Sequence, residues 1–250
     1  MFNRQHRRDQ LGIQFGHACG NNEAMGTVVK TTNLLRCLPE ALIMQLFEGA
    51  ASGKAAIGST LFFEGEEGDG LYVIDKGLLK IVVKSPLGEE RIVSMLGQGA
   101  IVGELSVIDG LPRSASAVVM QDCEFRFVSR TAFSTFTAMH PNFYRELVKI
   151  LSIRLREADK ELAASTFLSG RGRLARALIE LAEHFGQRSS NGAVILEYKI
   201  ADADLAAMAG LARESVKRVL TEWQERKLVT QTERYHHIHD IAALRHELTL

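Results

Sequence analysis

The distribution of glycine is the sequence feature that most constrains how this chain can fold. Twelve of the 21 glycines lie between residues 49 and 110, and none lies between residues 111 and 169. Glycine supplies the positive φ angles that tight turns need, and it destabilises helix interiors. We therefore predict a turn-rich β segment followed by a helical segment, rather than one domain of uniform composition.

The overall composition is that of a globular protein, with 46% hydrophobic and 24% charged residues, which excludes disordered and fibrous classes. The 30 basic and 30 acidic residues cancel, so the whole chain lacks the basic surplus of many nucleic-acid-binding proteins. No run of about 18 apolar residues and no signal-peptide core is present. The three cysteines have no CxxC spacing. We expect a cytoplasmic protein with no membrane contact, disulfide framework or metal.

Short β-prone runs separated by glycine turns occupy residues 60–128. Glycines in the turns at residues 75–77, 86–88 and 97–99 suit tight hairpins, so we predict a sandwich or a rolled barrel. The predicted strands are residues 60–63, 71–74, 78–83, 91–96, 115–120 and 124–128.

Residues 141–168 predict one long helix, because they contain no glycine and carry apolar residues at steps of three and four. This spacing is typical of a two-stranded coiled coil and predicts dimerisation, although a helix packed inside one chain gives a similar stripe. Residues 169–172 predict a hinge, followed by a helix over 173–185 and a polar loop over 187–192. The residues of the stripe are Val148, Leu151, Leu155, Ala158, Leu162 and Ser165.

Residues 202–223 have the spacing of a helix-turn-helix. Asp202 can cap the first helix, and Gly210 permits the sharp turn after it. The expected buried positions are Leu205, Ala206, Ala209, Val216, Val219 and Leu220.

Burial of those positions leaves charged side chains outside on the second helix. Arg213, Glu214, Lys217 and Arg218 give a local charge of 3 − 1 = +2, and Arg and Glu can read base edges in a major groove. The alternative is a solvated helical hairpin. Residues 227–238 predict a hairpin wing, in which alternation places the nearby histidines on different faces and argues against a metal site.

A second motif places Glu104 and Arg113 nine residues apart, between a short turn or helix and a strand that resumes after Pro112. Amide groups at such a turn and an arginine fork suit a phosphate, and a carboxylate can accept from a ribose hydroxyl. This pattern predicts a sugar-phosphate site. A Glu–Arg salt bridge on a surface loop is the alternative.

The two motifs, separated by a long helix, resemble the cyclic-AMP receptor protein / fumarate–nitrate-reduction regulator (CRP/FNR) family of transcription factors over residues 31–240. The resemblance is carried by Gly103-Glu104-Leu105, Arg113-Ser114-Ala115, the long helix, the Phe167-Leu168 hinge and residues 210–218. It implies an α+β fold with an N-terminal double-stranded β-helix (a jelly-roll-like barrel) that binds a cyclic nucleotide, a long dimerisation helix and a C-terminal winged helix-turn-helix. The implied units are a flexible arm (1–30), the β-barrel (31–140), the helix (141–169) and the DNA-binding part (170–250).

The resemblance also implies roles for single residues. Glu104 would hold the ribose 2′-hydroxyl, Arg113 and Ser114 the cyclic phosphate, and Gly103 the ligand through its backbone, with Leu105 in the same motif. Arg154 would neutralise the site near Glu104. Arg213, Glu214 and Arg218 would read a two-fold TGTGA-type site, with Lys217 beside them.

Two positions depart from the family pattern. Ala158 and Asp159 stand where the receptor protein has Thr and Ser at the purine, so cyclic GMP becomes an alternative ligand to cyclic AMP. Ala201 and Asp202 replace a Thr-Arg pair expected near DNA phosphate.

The sequence thus predicts a homodimeric, non-enzymatic regulator that binds cyclic AMP or cyclic GMP and a palindromic DNA site, with RNA polymerase as a partner. Three alternatives stay open: a ligand-independent or redox- or haem-sensing regulator of the same fold, a nucleotide-binding module that does not bind DNA, and an enzyme of nucleotide metabolism.

Overall fold

The computed structural model describes residues 40–189 and 192–249, which form a β-rich N-terminal half, a long helix and a mixed C-terminal half. The arm predicted for residues 1–30 lies outside the described residues. The first half contains α1 (Glu40–Leu46), β1 (Ala51–Ala55), β2 (Thr60–Phe62), β3 (Gly70–Lys84), β4 (Glu90–Leu96), β5 (Ile101–Val102), α2 (Glu104–Asp109), β6 (Ser116–Ser129) and α3 (Arg130–Met139). The second contains α4 (Phe143–Phe167), α5 (Gly170–Phe185), β7 (Gly186–Arg188), β8 (Val194–Leu196), α6 (Asp202–Ala209), α7 (Arg213–Glu225), β9 (Val229–Thr232), β10 (Tyr235–Ile238) and α8 (Ile241–His246).

The N-terminal half is one six-stranded antiparallel sheet built around β3 and β6. These two strands pair from Gly70↔Ser129 to Val82↔Ser116, with β1 and β2 on β6 and β4 and β5 on β3. One core lies under α3 and the start of α4, and a second lies on the opposite side of the sheet. The mixed α+β fold predicted from the sequence is confirmed.

The glycine at residue 77 does not make the predicted hairpin turn. Residues 71–83 belong to a single strand, β3, which bulges as its pairing with β6 shifts register on either side of Lys76. Gly77 has φ +100°, and a Cβ there would lie 2.4 Å from the carbonyl oxygen of Asp122. The glycine therefore allows a bulge and a close backbone approach rather than a reversal.

The turns predicted at residues 86–88 and 97–99 are present. Gly88 has φ +83°, and its amide donates to the carbonyl of Ser85 at 2.8 Å between β3 and β4. Gly99, with φ +81°, lies between β4 and β5. The sequence reasoning missed β1, whose five residues pair along β6 from Ala51↔Phe127 to Ala55↔Cys123.

The predicted long helix is α4, with 25 residues. Its N-terminal turn packs into the β-rich half through Phe143 and Leu147, which are buried. Further along, Val148, Leu155 and Leu162 of the predicted stripe are 61%, 65% and 69% exposed. These three residues of the stripe are therefore not packed inside one protomer.

The predicted hinge at residues 169–172 is shorter in the structure, because α5 begins at Gly170, three residues before the predicted start at 173, so that only Leu168 and Ser169 separate it from α4. Leu168 is extended, and the Ser169 hydroxyl caps α5 by accepting from the amide of Gly172 at 3.1 Å. The predicted polar loop at 187–192 is partly wrong, because β7 covers residues 186–188 and pairs with β8 in a sheet of order β7-β8-β10-β9. A Cβ at Gly186 would lie 2.2 Å from the carbonyl oxygen of Ala182, so the strand leaves the helix through a glycine that no other residue could replace without a shift. The predicted wing is confirmed as β9 and β10.

The two halves share a hydrophobic core. Val82, Ile92 and Met95 of β3 and β4 pack in the same cluster as the buried residues of α5 and α6. Lys80 Nζ also donates to Asp204 Oδ1 at 2.7 Å across this junction. No helix in the described part of the chain is both long enough and apolar enough to cross a bilayer.

Candidate functional site

A cavity of about 380 Å³ lies between the β-rich half and α4. This volume falls within the range of small-molecule sites. Residues from β3, β4, the α2 segment, residues 113–115 and α4 line it. Seven of the eight ligand residues predicted from the sequence are among them: Gly103, Glu104, Leu105, Arg113, Ser114, Arg154 and Ala158.

Arg113 is the most constrained side chain of the cavity. Its Nη1 donates to the Gly103 carbonyl and the Ser106 hydroxyl, both at 2.8 Å. Its Nη2 donates to Asp69 Oδ1 at 2.7 Å and to the Gly70 carbonyl at 2.8 Å. The guanidinium is thus held by four acceptors, three of them in the backbone or on a buried serine, and its direction is fixed before any ligand arrives.

One donor of this guanidinium is left over. Arg113 Nε is buried and has no hydrogen-bond partner among the described residues. The guanidinium lies over the ring of Phe62, with Cζ 4.3 Å from the ring centroid. A buried charged donor without an acceptor is costly, so an anionic oxygen that reaches this atom would bind favourably.

Gly103 is required by the close approach of that arginine. It has φ +85°, and a Cβ at this position would lie 2.4 Å from Arg113 Nη1. The helix α2 that follows it has six residues and no side-chain cap. An anion in the cavity would therefore be held by Arg113 more than by the helix.

Glu104 and Arg154 form an ion pair that ties α2 to α4. Arg154 Nη1 donates to Glu104 Oε1, and Arg154 Nη2 donates to the Ile101 carbonyl at 3.1 Å. Glu104 is buried, whereas Arg154 is partly exposed. Arg154 of α4 therefore balances the charge of the Glu104 carboxylate, which could accept a hydrogen bond from a ligand hydroxyl.

Asp159 is the predicted ligand residue that does not line the cavity. It is exposed on α4, one position beyond the wall formed by Ala158. Glu161, which the sequence reasoning missed, lines the cavity instead and forms an ion pair with Arg176 of α5. Its position could have been read from helical spacing, because Arg154, Ala158 and Glu161 follow steps of four and three on one face.

The helix-turn-helix consists of α6 and α7, joined at Gly210 with φ +61°. Asp202 is not the cap predicted from the sequence. The N-cap is Ala201, which offers no side-chain bond, and Asp202 is the first helical residue. Its charge still suits the positive end of the helix. Val216 is fully buried as expected, whereas Val219 and Leu220 are only partly buried.

The four predicted DNA-reading residues are all exposed. Arg213 and Glu214 open α7, and Lys217 and Arg218 follow one turn later. Side chains at the N-terminal turns of a second helix are the ones that reach base edges in this motif. The arrangement leaves this face uncovered by the β-rich half of the same protomer.

A partly exposed ionic network around the buried Glu247, missed by the sequence reasoning, contacts α7 through Glu222. Arg171, at the start of α5, donates to Glu222 through Nη1 at 2.6 Å and Nη2 at 2.5 Å, and also to Glu247. Arg226 lies 2.7 Å from Glu247. Burial alone would raise the pKa of Glu247, but its hydrogen bonds from Arg171 and Arg226 outweigh burial and hold it below the ordinary value of 4.5. The network joins α5 to α7.

The histidines of the wing form no metal centre in the described part of the chain, where no group of three or more His, Cys, Asp or Glu side chains could hold an ion. His236 is buried, and its Nε2 lies 3.0 Å from the Ile200 carbonyl. Burial lowers the pKa of His236 below 6.5. His239 instead contacts the Thr230 hydroxyl at 2.8 Å.

Two family models match the chain. The cyclic nucleotide-binding domain matches residues 54–140, and the Crp-like helix-turn-helix domain matches residues 172–247. A CRP-like cAMP-activated global transcriptional regulator from Mycobacterium tuberculosis is 33% identical over 169 residues, covering 68% of this chain and 75% of that relative. A cyclic AMP receptor protein from Thermus thermophilus is 35% identical over 172 residues, covering 69% of this chain and 76% of that relative.

Solved structures share the fold. The global regulator CLP of Xanthomonas campestris aligns with a TM-score of 0.72 at 20% identity, covering 81% of this chain and 100% of that one. FixK2 from Bradyrhizobium japonicum aligns with a TM-score of 0.69 at 18% identity, covering 80% of this chain and 96% of that one. At these identities the likeness concerns the fold alone.

Proposed function

The chain belongs to the CRP/FNR family of cyclic-nucleotide-binding, DNA-binding transcription regulators, and from this premise we propose that cyclic AMP or cyclic GMP binds in the cavity and controls the binding of a homodimer to DNA. The relatives from M. tuberculosis and T. thermophilus are named for cyclic AMP, which supports a ligand of this chemistry. The observation that carries the proposal is the meeting of Arg113, with its unpartnered Nε, and the Glu104–Arg154 pair in one cavity.

The ligand would lie with its phosphate at Arg113 and Ser114 and its ribose at Glu104. Arg113 Nε would donate to a phosphate oxygen, and the backbone of Gly103 and the side chain of Leu105 would complete the wall. Glu104 would accept from the ribose 2′-hydroxyl while keeping its bond to Arg154. No catalytic role is assigned to any of these residues, so we propose a regulator that is not an enzyme and needs no metal.

The DNA target would be a palindromic TGTGA-type site read in successive major grooves. Arg213 and Arg218 would take guanine through their paired N–H groups, and Glu214 would accept from cytosine N4. Lys217 would contact phosphate or a neighbouring base. A two-fold site requires two recognition helices, one from each protomer, about one turn of the DNA double helix apart.

The exposed stripe of α4 would form the homodimer. Val148, Leu155 and Leu162 repeat every seven residues and are all more than 60% exposed. A seam repeating every seven residues suits a second copy of the same helix in parallel. We accordingly divide the chain into a flexible arm (1–30), the nucleotide-binding barrel (31–140), the dimer helix (141–169) and the DNA-binding part (170–250), and place it in the cytoplasm with RNA polymerase as a partner.

The ligand would act by changing how the two α7 helices of the dimer are oriented, not by uncovering them. Arg213 and its neighbours on α7 are already exposed in one protomer. Ligand contacts at Glu104, Arg113 and Arg154 would shift α4 at the dimer seam. The hinge at Gly170 would then let both DNA-binding parts turn. Such a shift requires that the nucleotide bind one arrangement more tightly than the other.

The proposal is tested with the full chain in two steps. Calorimetry with each cyclic nucleotide is followed by fluorescence anisotropy of a palindromic TGTGA duplex and of a scrambled duplex, with and without nucleotide. We expect binding of at least one nucleotide and a nucleotide-dependent gain on the palindrome only. Binding of DNA without any nucleotide binding would refute the ligand and favour a ligand-independent regulator. Nucleotide binding without DNA binding would refute the role of α7 as a DNA-recognition helix.

A further inference from the structure

The cavity lining contains two polar side chains that have no role in the site described so far, Ser94 on β4 and Glu161 on α4. The other polar lining residues belong to α2, residues 113–114 and Arg154. Strands β3 and β4 also contribute apolar lining residues, among them Val83 and Val93. A lining of apolar walls with a few polar groups suits a flat aromatic ring with polar edges.

Helical geometry separates Glu161 from the sugar-phosphate end. Arg154 and Glu161 both line the cavity and are seven residues apart on α4, so about 10 Å of helix rise lies between their Cα atoms. Arg154 is bonded to Glu104, which fixes it at the ribose end. Glu161 therefore lies about two turns of α4 away from the ribose contact, on the part of the helix toward which a base attached to that ribose could extend.

Glu161 is oriented by its partner rather than left to solvent. Arg176 of α5 donates to Glu161 Oε1 through Nη2 and to Glu180 Oε1 through Nε at 2.8 Å. The Arg176 side chain is only 12% exposed, and that of Glu161 is 28% exposed. This support fixes the carboxylate at the cavity wall and balances its charge.

Resting on the proposed function, we propose that Glu161 reads the base and makes the cavity selective for a guanine ring, so that cyclic GMP binds more tightly than cyclic AMP. A carboxylate can only accept hydrogen bonds. Guanine offers two adjacent donors, N1–H and the N2 amino group, which match the two oxygens of a carboxylate. Adenine offers one amino group beside a ring nitrogen whose lone pair repels the carboxylate. The Ser94 hydroxyl donates and accepts, so it does not discriminate between the rings.

The test is a calorimetric titration of the full chain with cyclic GMP and cyclic AMP separately, in wild type and in Glu161→Gln. The glutamine keeps the shape but replaces one acceptor with a donor. We expect wild type to favour cyclic GMP, and the variant to lose about tenfold or more in cyclic GMP affinity, the worth of one charge-assisted hydrogen bond. Its cyclic AMP affinity should change by less than about threefold.

Two control variants separate base reading from other effects. Asp159→Asn removes a neighbouring carboxylate that is exposed on the same helix and should leave the ratio of the two affinities unchanged. Arg176→Met removes the partner that holds Glu161 in place and should lower the affinity for cyclic GMP more than the affinity for cyclic AMP. An equal loss of both affinities would mean that the ion pair only stabilises the fold and does not position Glu161 for the base.

The outcomes of the test distinguish this inference from the proposed function. If neither nucleotide binds to wild type, the proposed ligand itself is wrong. If both bind but wild type favours cyclic AMP, or Glu161→Gln changes both affinities by the same factor, the inference is wrong and the proposed function stands. A ratio that moves with Asp159→Asn instead would transfer the role to that residue and overturn the assignment of Glu161.

Discussion

Replacing Arg113 should damage the fold of the empty cavity as well as its ligand affinity. The Arg113 side chain is 1% exposed and donates to the carbonyls of Gly103 and Gly70 and to the Ser106 hydroxyl. Arg113→Leu would leave the Gly70 carbonyl and the Ser106 hydroxyl oxygen without this donor in a buried setting, whereas the Gly103 carbonyl would still accept from the Ser106 hydroxyl at 3.2 Å. Asp69, the fourth partner, is 68% exposed, so water would replace the lost bond at little cost.

The size of the loss follows from the two acceptors that lose their donor. Each buried acceptor left without a donor costs about 1–3 kcal/mol. The cation–π contact of Arg113 with Phe62 is lost as well. We expect Arg113→Leu to lower the free energy of unfolding by about 3–5 kcal/mol, comparable to breaking a buried ion pair. This is a large fraction of the stability of a typical domain.

Urea unfolding followed by far-ultraviolet circular dichroism measures this loss, and Arg126→Leu is the matched control. Arg126 lies on β6, forms a bidentate pair with Asp75, and both side chains are more than 30% exposed. Its loss should cost less than about 1 kcal/mol. If Arg113→Leu and Arg126→Leu are equally stable, the buried carbonyls have other donors and the structural role of Arg113 is refuted.

A ligand arm of the same experiment isolates the binding role. At a concentration 100 times its Kd, a nucleotide should raise the free energy of unfolding of wild type by about 2.7 kcal/mol. Arg113→Leu should show no such gain, and Arg126→Leu should show all of it. A full gain in Arg113→Leu would mean that the phosphate does not bind at this arginine.

Three further perturbations address the reader, the junction and the wing. Arg213→Ala should weaken binding to the palindrome by about 1–3 kcal/mol per contact in anisotropy titrations; an equal loss on scrambled DNA would show that Arg213 contacts phosphate. Lys80→Met, Asp204→Asn and the double variant form a cycle whose unfolding energies should give a coupling of about 1 kcal/mol, since both side chains are less than 20% exposed; strict additivity would show that the pair adds nothing. Burial lowers the pKa of His236 below 6.5, so the unfolded chain takes up a proton first, and the free energy of unfolding should fall as pH drops below about 6.5. His236→Gln, which keeps a donor for the Ile200 carbonyl, should flatten this dependence when unfolding is followed by tryptophan fluorescence, and an unchanged slope would assign it to other groups.

The helix-turn-helix could be predicted from the sequence because its determinants are local. Gly210 must adopt a positive φ to close the turn, and the buried Ala206 and Val216 follow directly from helical spacing around it. The same holds for the pairing of Glu104 and Arg113 in one cavity, since both flank a single short segment. Helix spacing also located the long helix to within two residues at each end.

The parts that could not be predicted depend on contacts between residues far apart in the chain. Gly77 looked like a turn because glycine serves both turns and bulges, and only the facing strand β6 decides between them. The sequence predicted no role for Glu247, and nothing local shows that Arg171, 76 residues earlier, binds it. Glu161 was missed because spacing along α4 shows only that it shares a face with Arg154 and Ala158, and not that this face lines a cavity as far as Glu161.

The balanced charge of the chain limits how tightly a single DNA-binding part can hold DNA. In the proposed homodimer, DNA affinity would depend on the +2 cluster at the start of α7, present twice, and nonspecific binding should be weak because the net charge of the chain is zero. Tight binding then requires both readers to fit their half-sites together.

Strands β3 and β4 provide a direct route for ligand control of that fit. Along β3, Ile81 and Val83 line the cavity while Val82 packs in the core shared with α5 and α6, and on β4 Val93 and Ile92 divide in the same way. A close-packed core does not deform gradually, so a ligand that moves this two-stranded wall must move the DNA-binding part with it or break the shared core. We therefore expect the wall, together with the hinge at Gly170, to carry the signal from the nucleotide to α7.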